Sequence, residues 1–600
     1  MELQIKEGIS QALQALYQHD LAADDVSLQP TRKEFEGTYT FVTFPFARFS
    51  KKNPEETGKD IGVFLVDHTE VISDFNVVKG FLNLCLSETS QIERFAAMFN
   101  GEHIEDSSIF KVESTGRKVV VEYSSPNTNK PLHLGHLRNN FLGNSVSRIL
   151  EASGNTVQKV QIINDRGIHI CKSMLAWQKF GEGETPESSG LKGDHLVGKY
   201  YVAFDKAYKA EIAELVERGI AKETAEKEAP MLLEAQALLK RWEAKDPEVY
   251  ALWEKMNGWV YDGFNATYDR MGVDFDKLYY ESDTYLIGRD RVLDGLEKGI
   301  FSRKDDGSIW VDLTDEGLDE KLLLRKDGTS VYMTQDIGTA IMRYDDNPDL
   351  SQLIYTVGNE QEYHFKVLFL ILKKLGYQWA EACYHLSYGM VDLPTGKMKS
   401  REGTVVDADD LMQEMVDTAK RRTEELGKIE GFTEEQVISL YEMLGLGALK
   451  YFLLKVDPKK RMLFNPEESI EFQGNTGPFI QYTHARISSI LRKATQLEVD
   501  VTRIDYDAIS AVQETEKDLI YTLSLYPEKL QLAAEQYAPS VIAQFVYDVA
   551  KEYNRFYTEV SIFNEADENL QKFRVALSML TAQTIKVSMG LLGVTVPDRM

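Results

Sequence analysis

The chain has 600 residues, enough for about three to five domains, and its 43% hydrophobic and 27% charged residues are typical of globular proteins. The formal net charge of −27 does not favour nucleic-acid binding from bulk electrostatics, although residues 451–600 are nearly neutral. No apolar run approaches the ~18 residues of a membrane span, the N-terminal stretch does not resemble a secretory signal, and three distant cysteines exclude a disulfide framework. We therefore expect a multi-domain cytoplasmic protein.

Residues 1–112 have the mixed pattern of a small α+β domain. The runs at 38–44 and 61–66 are alternating or continuously apolar, which predicts strands. A polar stretch near 102–108 predicts a linker to the next domain. An amphipathic helix is predicted by apolar residues at helical spacing, namely Ile5, Ile9, Leu13 and Leu16.

Residues 113–465 carry the strand–helix–strand pattern of a doubly wound α/β domain. The apolar run at 118–123 predicts a buried parallel strand, a helix is predicted from about 135 to 150, and 157–163 predicts the next strand. Within this domain, residues 181–290 are charged and helical in pattern, which predicts a helical insertion.

The strongest chemical signal is the run Lys130-Pro-Leu-His133-Leu-Gly135-His136, which follows the first strand of the α/β domain and opens its helix. Helix N-termini present free backbone N–H groups and a positive dipole end, which suit phosphate. Two histidines three residues apart can face one side and donate to phosphate oxygens, and glycine lets the backbone approach a ligand. The alternatives are two surface histidines or half of a metal site, for which no nearby Cys or His supplies further ligands.

This run resembles the HIGH signature of the class I aminoacyl-tRNA synthetases, and the preceding segment 121–127 resembles the arginyl-tRNA synthetases in particular. Residues 397–403 resemble the KMSKS loop, the second signature of that class, although an isolated basic turn of this kind could be merely solvated. Ser400 stands where KMSKS has its second lysine. Many arginyl-tRNA synthetases carry a lysine just before HxGH instead, a role that Lys130 fits, and whether Lys399 shares it stays open.

The resemblance implies a Rossmann-like class I catalytic domain with defined site residues. It assigns catalysis to Lys130, His133, His136 and Lys397. It assigns ATP binding to His133, Gly135, His136, His364, Met390, Val391, Lys397, Met398 and Lys399. It assigns arginine binding to Glu122, Ser124, Asn127, Tyr332, Asp336 and Gln361. A guanidinium suits carboxylate partners, although Asp336 alone could simply complement a helix dipole and His364 could be a hydrogen-bonded core histidine.

Residues 466–600 are dominated by amphipathic helical patterns and predict a helical bundle. Segments 474–486 and 590–600 resemble the family's α-helical anticodon-binding bundle, and residues 1–112 resemble its N-terminal domain, which contacts the tRNA core. Tyrosine rings can stack unpaired bases, but most tyrosines in a helical bundle fill its core. The residues predicted to bind tRNA are Arg486, Tyr547, Tyr553 and Met600.

The resemblance implies a ligase that activates L-arginine with ATP and transfers it to the 3′-terminal adenosine of tRNA(Arg), releasing AMP and pyrophosphate. ATP would bring Mg²⁺, with no protein-bound structural metal, and the chain would act as a monomer without membrane contact. Two alternatives stay open. A class I synthetase for another amino acid would not need both Glu122 and Asp336, and a non-catalytic tRNA-binding relative would be expected to lack the HxGH histidines or Lys397.

Overall fold

The computed structural model describes residues 1–32, 34–394, 406–425, 427, 431–509 and 511–600. The predicted loop at 397–403 lies outside these residues, so the roles expected of Lys397, Met398 and Lys399 stay predictions.

A four-stranded antiparallel sheet with helices on it forms the N-terminal domain. The strands lie in the order β1–β2–β4–β3. The predicted amphipathic helix is present as α1, which buries Ile5, Ile9 and Leu13 in the core of this domain. The elements are α1 (Glu2–Tyr17), β1 (Leu28–Pro30), β2 (Tyr39–Val42), α2 (Ala47–Ser50), α3 (Pro54–His68), β3 (Ile72–Val78), β4 (Phe81–Leu86) and α4 (Glu88–Met98).

The predicted strand at 61–66 is wrong, because these residues lie inside helix α3. The Asn53 side chain accepts from Glu56 N at 2.8 Å, which caps the helix start ahead of the apolar run. Ile61 and Leu65 are fully buried whereas Val63 is 52% exposed. A strand would place all three side chains on one face. Ile61 and Leu65 lie about one helical turn apart, so their burial with Val63 exposed between them fits a helix.

A five-stranded parallel sheet forms the centre of the α/β domain, with strand order β12–β11–β5–β6–β7. The chain builds outward in opposite directions from β5 and β11, so the switch point where such sheets bind ligands lies at the carboxyl ends of these two strands. The elements are β5 (Lys118–Glu122), α5 (Leu134–Ala152), β6 (Thr156–Ile163), α6 (Ile168–Phe180), β7 (Lys277–Tyr280), α12 (Glu281–Glu297), α13 (Tyr332–Asp346), β11 (Gln352–Gly358), α14 (Glu362–Lys374) and β12 (Cys383–Tyr388).

Five helices are inserted between α6 and β7. Strand β7 pairs in parallel with β6, so residues 277–290 belong to the sheet domain and the insertion is shorter than the predicted 181–290. A small antiparallel sheet follows α12. The inserted helices are α7 (Pro186–Ser189), α8 (Gly193–Glu217), α9 (Lys222–Glu228), α10 (Pro230–Glu243) and α11 (Pro247–Met271), and the small sheet comprises β8 (Ser302–Arg303), β9 (Ile309–Val311) and β10 (Lys321–Leu324).

The described chain after β12 is mostly helical, with a short pair of parallel strands, β13 and β14. Among the described residues, helix α16 alone is long and apolar enough to cross a membrane by length and composition, and 67% of its most apolar stretch is buried against other helices, as in the core of a globular bundle. The elements are β13 (Val391–Asp392), α15 (Ala408–Glu425), α16 (Glu434–Leu454), β14 (Met462–Leu463), α17 (Pro466–Ser469), α18 (Gly477–Gln496), α19 (Glu514–Ser524), α20 (Tyr526–Gln536), α21 (Pro539–Glu559) and α22 (Glu568–Leu591).

Candidate active site

Two histidines cap the N-terminus of α5 at the switch point of the sheet. Gly135 N donates to Nδ1 of His133 at 3.1 Å, and His133 N donates to Nδ1 of His136 at 3.1 Å. The ring centroids lie 3.9 Å apart. Each ring therefore satisfies a backbone donor at the helix start, in the reciprocal arrangement of a capping box.

This capping fixes the protonation of both rings. Because each Nδ1 accepts a hydrogen bond, the proton of the neutral ring sits on Nε2. Burial, with the Lys130 ammonium, lowers the pKa of His133 to about 4, and burial beside His133 and Lys130 lowers the pKa of His136 well below its usual value. Burial also lowers the pKa of Lys130. At neutral pH the site thus holds two uncharged Nε2–H donors beside the positive end of a helix.

Asn139 of α5 joins the two strands that flank the switch point. Its side-chain nitrogen donates to Thr356 O in β11 at 2.6 Å, and its Oδ1 accepts from Ser124 N, just after β5, at 2.6 Å. Ser124 has φ of +63°, a left-handed conformation that non-glycine residues rarely adopt. The Ser124 hydroxyl is engaged by Tyr268 at 2.7 Å, so its predicted arginine contact has a competing partner.

Two carboxylates at this edge of the sheet interact electrostatically, since the charge of Asp336 contributes to the raised pKa of Glu281. Asp336 Oδ2 is 2.5 Å from Nε2 of His364, which brings these two predicted residues together. Glu281, which begins α12 directly after β7, feels the charge of Asp336 and is only 9% exposed. Burial raises the pKa of Glu281 to about 7, a rise that Arg166 opposes and Asp165 and Asp336 reinforce. A carboxylate poised at neutral pH beside a second carboxylate suits a cationic ligand.

Glu122 does not lie open to a ligand in the way the sequence predicted. Its carboxylate forms an ion pair with Arg343 of α13, and both side chains are buried. Burial raises the pKa of Glu122, against the lowering effect of Arg343. Because the Arg343 guanidinium already occupies the carboxylate, Glu122 ties β5 to α13. Glu281 is a further buried carboxylate at this edge, one that the sequence did not single out.

Three further residues predicted to bind arginine border the same edge. Tyr332 begins α13 and is 73% exposed. Asn127 is exposed in the segment after β5, where its backbone bridges to Asn164. Gln361 is exposed immediately before α14. Their predicted contacts with arginine stay predictions.

Helix α5 also positions the segment predicted to line the adenine pocket. The buried Arg138 donates to Gly389 O at 3.3 Å, to Pro458 O at 3.2 Å and to Leu453 O. Met462 N donates to Met390 O at 3.1 Å, and Val391 is buried and pairs with Met462. This segment is therefore held by a residue of α5 that lies two positions after His136.

Three family models match this chain in order. The domain "tRNA synthetases class I (R), catalytic domain" matches residues 104–465, "DALR anticodon binding domain" matches 480–600, and "Arginyl tRNA synthetase N terminal domain" matches 3–86. The first of them alone covers more than half of the chain. The chain belongs to the class I arginyl-tRNA synthetase family.

Curated relatives match this family member over its whole length. The arginine–tRNA ligases of Bacteroides fragilis and of Amoebophilus asiaticus are each 56% identical to it, over 100% of this chain and 100% of theirs. A solved structure of Thermus thermophilus arginyl-tRNA synthetase superposes with a TM-score of 0.75 at 24% identity, over 99% of each chain, which shows the same fold. The family and fold class expected from the sequence are confirmed.

The C-terminal bundle holds a cationic cavity of about 750 Å³. Its lining residues, all within the described part of the chain, include four arginine or lysine side chains and no aspartate or glutamate. The Arg486 guanidinium lies 5.0 Å from the ring centroid of Tyr482 and 4.9 Å from that of Tyr557. Met600 lines the same cavity, so two predicted tRNA-binding residues meet there. A local positive surface thus exists on a protein of net charge −27.

The other two tyrosines predicted to bind tRNA lie elsewhere. Tyr553 is fully buried and donates to Ser578 Oγ at 3.1 Å, so the prediction that it stacks a base is wrong for this geometry. Tyr547 is half-buried against Phe479 and does not line the cavity. Tyr482, one helical turn before Arg486, was missed, although the spacing of these two residues is visible in the sequence.

Proposed function

We propose that this chain joins L-arginine to tRNA(Arg) in two steps at the expense of ATP. The arginine carboxylate attacks the α-phosphorus of ATP and pyrophosphate leaves. The arginyl group then passes from the adenylate to the 2′-hydroxyl of the terminal adenosine, and AMP leaves. The observation that carries this proposal is the pair of neutral Nε2–H donors at the N-terminus of α5, in a chain of the arginyl-tRNA synthetase family.

In this reaction no side chain acts as a nucleophile, so catalysis consists of positioning and charge stabilisation. His133 and His136 donate through Nε2 to phosphate oxygens as negative charge moves towards the pyrophosphate. Neutral imidazoles serve this purpose without the cost of burying two further charges beside Lys130. Lys130 and Lys397 supply the cationic partners of the phosphates, and Met390 with Val391 borders the adenine.

The substrate guanidinium is held by Asp336 and Glu281. Their electrostatic interaction supports this assignment, because the charge of Asp336 disfavours ionisation of Glu281 and a bound cation would relieve this repulsion. Bidentate pairing of a planar guanidinium also distinguishes arginine from lysine. Tyr332, Asn127 and Gln361 complete the pocket at its open side.

The tRNA anticodon occupies the cavity around Arg486, where four cations meet phosphates and the rings of Tyr482 and Tyr557 can stack unpaired bases. ATP enters with Mg²⁺ bound to its phosphates. The chain acts as a cytoplasmic monomer.

Charging of a tRNA(Arg) transcript with labelled arginine tests the proposal, and labelled lysine is the matched cationic control. We expect arginine to be incorporated and lysine to be rejected. His136→Asn retains an acceptor for His133 N but removes the Nε2 donor, so it should lower the rate of charging about 10²- to 10³-fold while tRNA binding persists. Tight tRNA binding without charging by the unaltered chain would favour the non-catalytic alternative.

A further inference from the structure

Asp407, which directly precedes helix α15, contacts three parts of the site. Its backbone lies antiparallel to His133, with Leu134 N donating to Val406 O at 3.1 Å and Ala408 N donating to Leu132 O at 3.0 Å. Its Oδ1 caps helix α15 by accepting from Asp409 N at 2.8 Å. Its Oδ2 lies 3.1 Å from Nε2 of His195.

His195 belongs to helix α8 of the insertion, which packs directly against the HxGH segment. A Cβ atom at Gly198, one turn further along α8, would lie 2.9 Å from Pro131 Cδ. A Cβ atom at Gly263 in α11 would lie 2.4 Å from Asp194 Oδ1. Both glycines therefore allow a close approach that a larger side chain would prevent: Gly198 brings α8 against the HxGH segment, and Gly263 brings α11 against α8.

The contact is a compact charge cluster. Lys192 Nζ lies 3.2 Å from Asp194 Oδ2 and also contacts Asp409, while His195 Nε2 is 3.6 Å from Asp409. Asp194, His195 and Asp409 have the spacing of a metal site, but the Lys192 ammonium already contacts both carboxylates and supplies the charge that an ion would bring. The carboxylates of Asp194, Asp407 and Asp409 carry more negative charge than the Lys192 ammonium balances, and a protonated His195 reduces this excess.

We propose that His195 and Asp407 are a positioning pair, through which the inserted helix α8 holds residues 406–408 against His133 and fixes its imidazole for arginine activation. This inference rests on the proposed function. The His133 ring accepts a hydrogen bond from Gly135 N, and the His133 backbone forms an antiparallel bridge with Asp407. The insertion thereby acts on catalysis although it supplies no group to the reacting atoms.

The charge state of the pair sets its pH dependence. The adjacent Asp407 carboxylate raises the pKa of His195 against the opposing effects of burial and Lys192, and His195 lowers the pKa of Asp407 against the opposing effect of burial. Raising the pH deprotonates His195 and so weakens the pair, and the upward shift of the His195 pKa moves this loss to higher pH. The charged and titratable groups around it are Lys192 and Asp194 of α8, Asp407 and Asp409, and Lys130 and His133 across the backbone pairing.

The test is ATP–pyrophosphate exchange with arginine and tRNA(Arg), measured as kcat and KM from pH 6 to 9. We expect His195→Gln and Asp407→Asn each to lower kcat about 10- to 100-fold, the cost of a misplaced catalytic group, with KM for arginine within twofold. Asparagine at 407 keeps the oxygen that caps α15. The kcat of the double variant should be no lower than that of either single variant, because each substitution removes the same interaction.

Asp410→Asn is the matched control: it removes an exposed carboxylate from the first turn of α15, outside the cluster, and should leave kcat unchanged. The wild-type kcat should fall with a single-proton dependence on the alkaline side of the profile, above the ordinary histidine pKa, and His195→Gln should lack this limb. Additive losses in the double variant, an equal loss in Asp410→Asn, or a flat wild-type profile would each overturn the positioning pair. A wild-type chain without arginine-dependent exchange would instead refute the proposed function.

Discussion

Replacing Glu281 by glutamine perturbs a buried carboxylate that the sequence did not single out. With a pKa of about 7, Glu281 is about 90% ionised at pH 8 and about 10% ionised at pH 6. Arginine is a cation throughout this range, so it selects the ionised form. The KM for arginine should therefore rise about ninefold from pH 8 to pH 6 in the wild-type protein.

The variant should behave differently in two respects. Losing a charge-assisted hydrogen bond to the guanidinium is expected to cost about 1.5–3 kcal/mol, which raises the KM for arginine about 10- to 150-fold at pH 8. The pH dependence of that KM between 6 and 8 should disappear. Asp283→Asn, an exposed carboxylate in the same first turn of α12, should keep both the wild-type KM and its pH dependence.

The assay is ATP–pyrophosphate exchange at saturating ATP and tRNA, with arginine varied at each pH. A wild-type KM that is constant between pH 6 and 8, or an E281Q variant that keeps the wild-type slope, would refute the assignment of Glu281. The raised pKa of Glu281 also affects the stability of the fold. A carboxyl pKa raised from 4.5 to about 7 costs the folded state about 3 kcal/mol above pH 7, so E281Q should raise the Tm at pH 8.

The remaining predictions concern the other parts of the site. Asp336→Ala should lower kcat/KM for arginine by a factor corresponding to about 2–5 kcal/mol, since it removes one of the two carboxylates proposed to hold the guanidinium, and an unchanged KM would contradict this. His136→Asn should lower kcat of exchange about 10²- to 10³-fold with an unchanged KM for arginine; a rise in KM alone would contradict its catalytic role. Lys493→Ala should weaken tRNA binding and make the slope of log K for tRNA binding against log salt concentration shallower by about one unit. An unchanged slope would show that the tRNA phosphates do not contact Lys493. Tyr553→Phe should cost about 1 kcal/mol of folding stability and leave tRNA affinity unchanged, whereas weakened tRNA binding would show that Tyr553 acts at the interface.

Parts of the fold could be predicted because local patterns determine them. Strands β5 and β6 are short runs rich in β-branched residues that end at polar turns, and the helix after HxGH has a glycine and a proline at its start. The run at 61–66 was misassigned because a short apolar stretch fits both a strand and a buried helix face. The capping side chain of Asn53, eight residues upstream, decides between them.

The site was harder to predict because its pairings join distant parts of the chain. Nothing near Glu122 in sequence indicates that Arg343 will neutralise it, and nothing near His195 indicates that it meets Asp407. Glu281 had a usable signal, since it directly follows a strand at the carboxyl edge of a parallel sheet, where ligands bind. Tyr553 had none, because its burial depends on how α21 packs against α22.

The most direct test of the central claim is ATP–pyrophosphate exchange with each amino acid in turn, with and without tRNA(Arg). We expect arginine to be the one amino acid that supports exchange, and only when tRNA(Arg) is present. Exchange driven by another amino acid would keep the fold but contradict the arginine pocket formed by Asp336 and Glu281, and no exchange with any amino acid would contradict the catalytic role of the HxGH histidines.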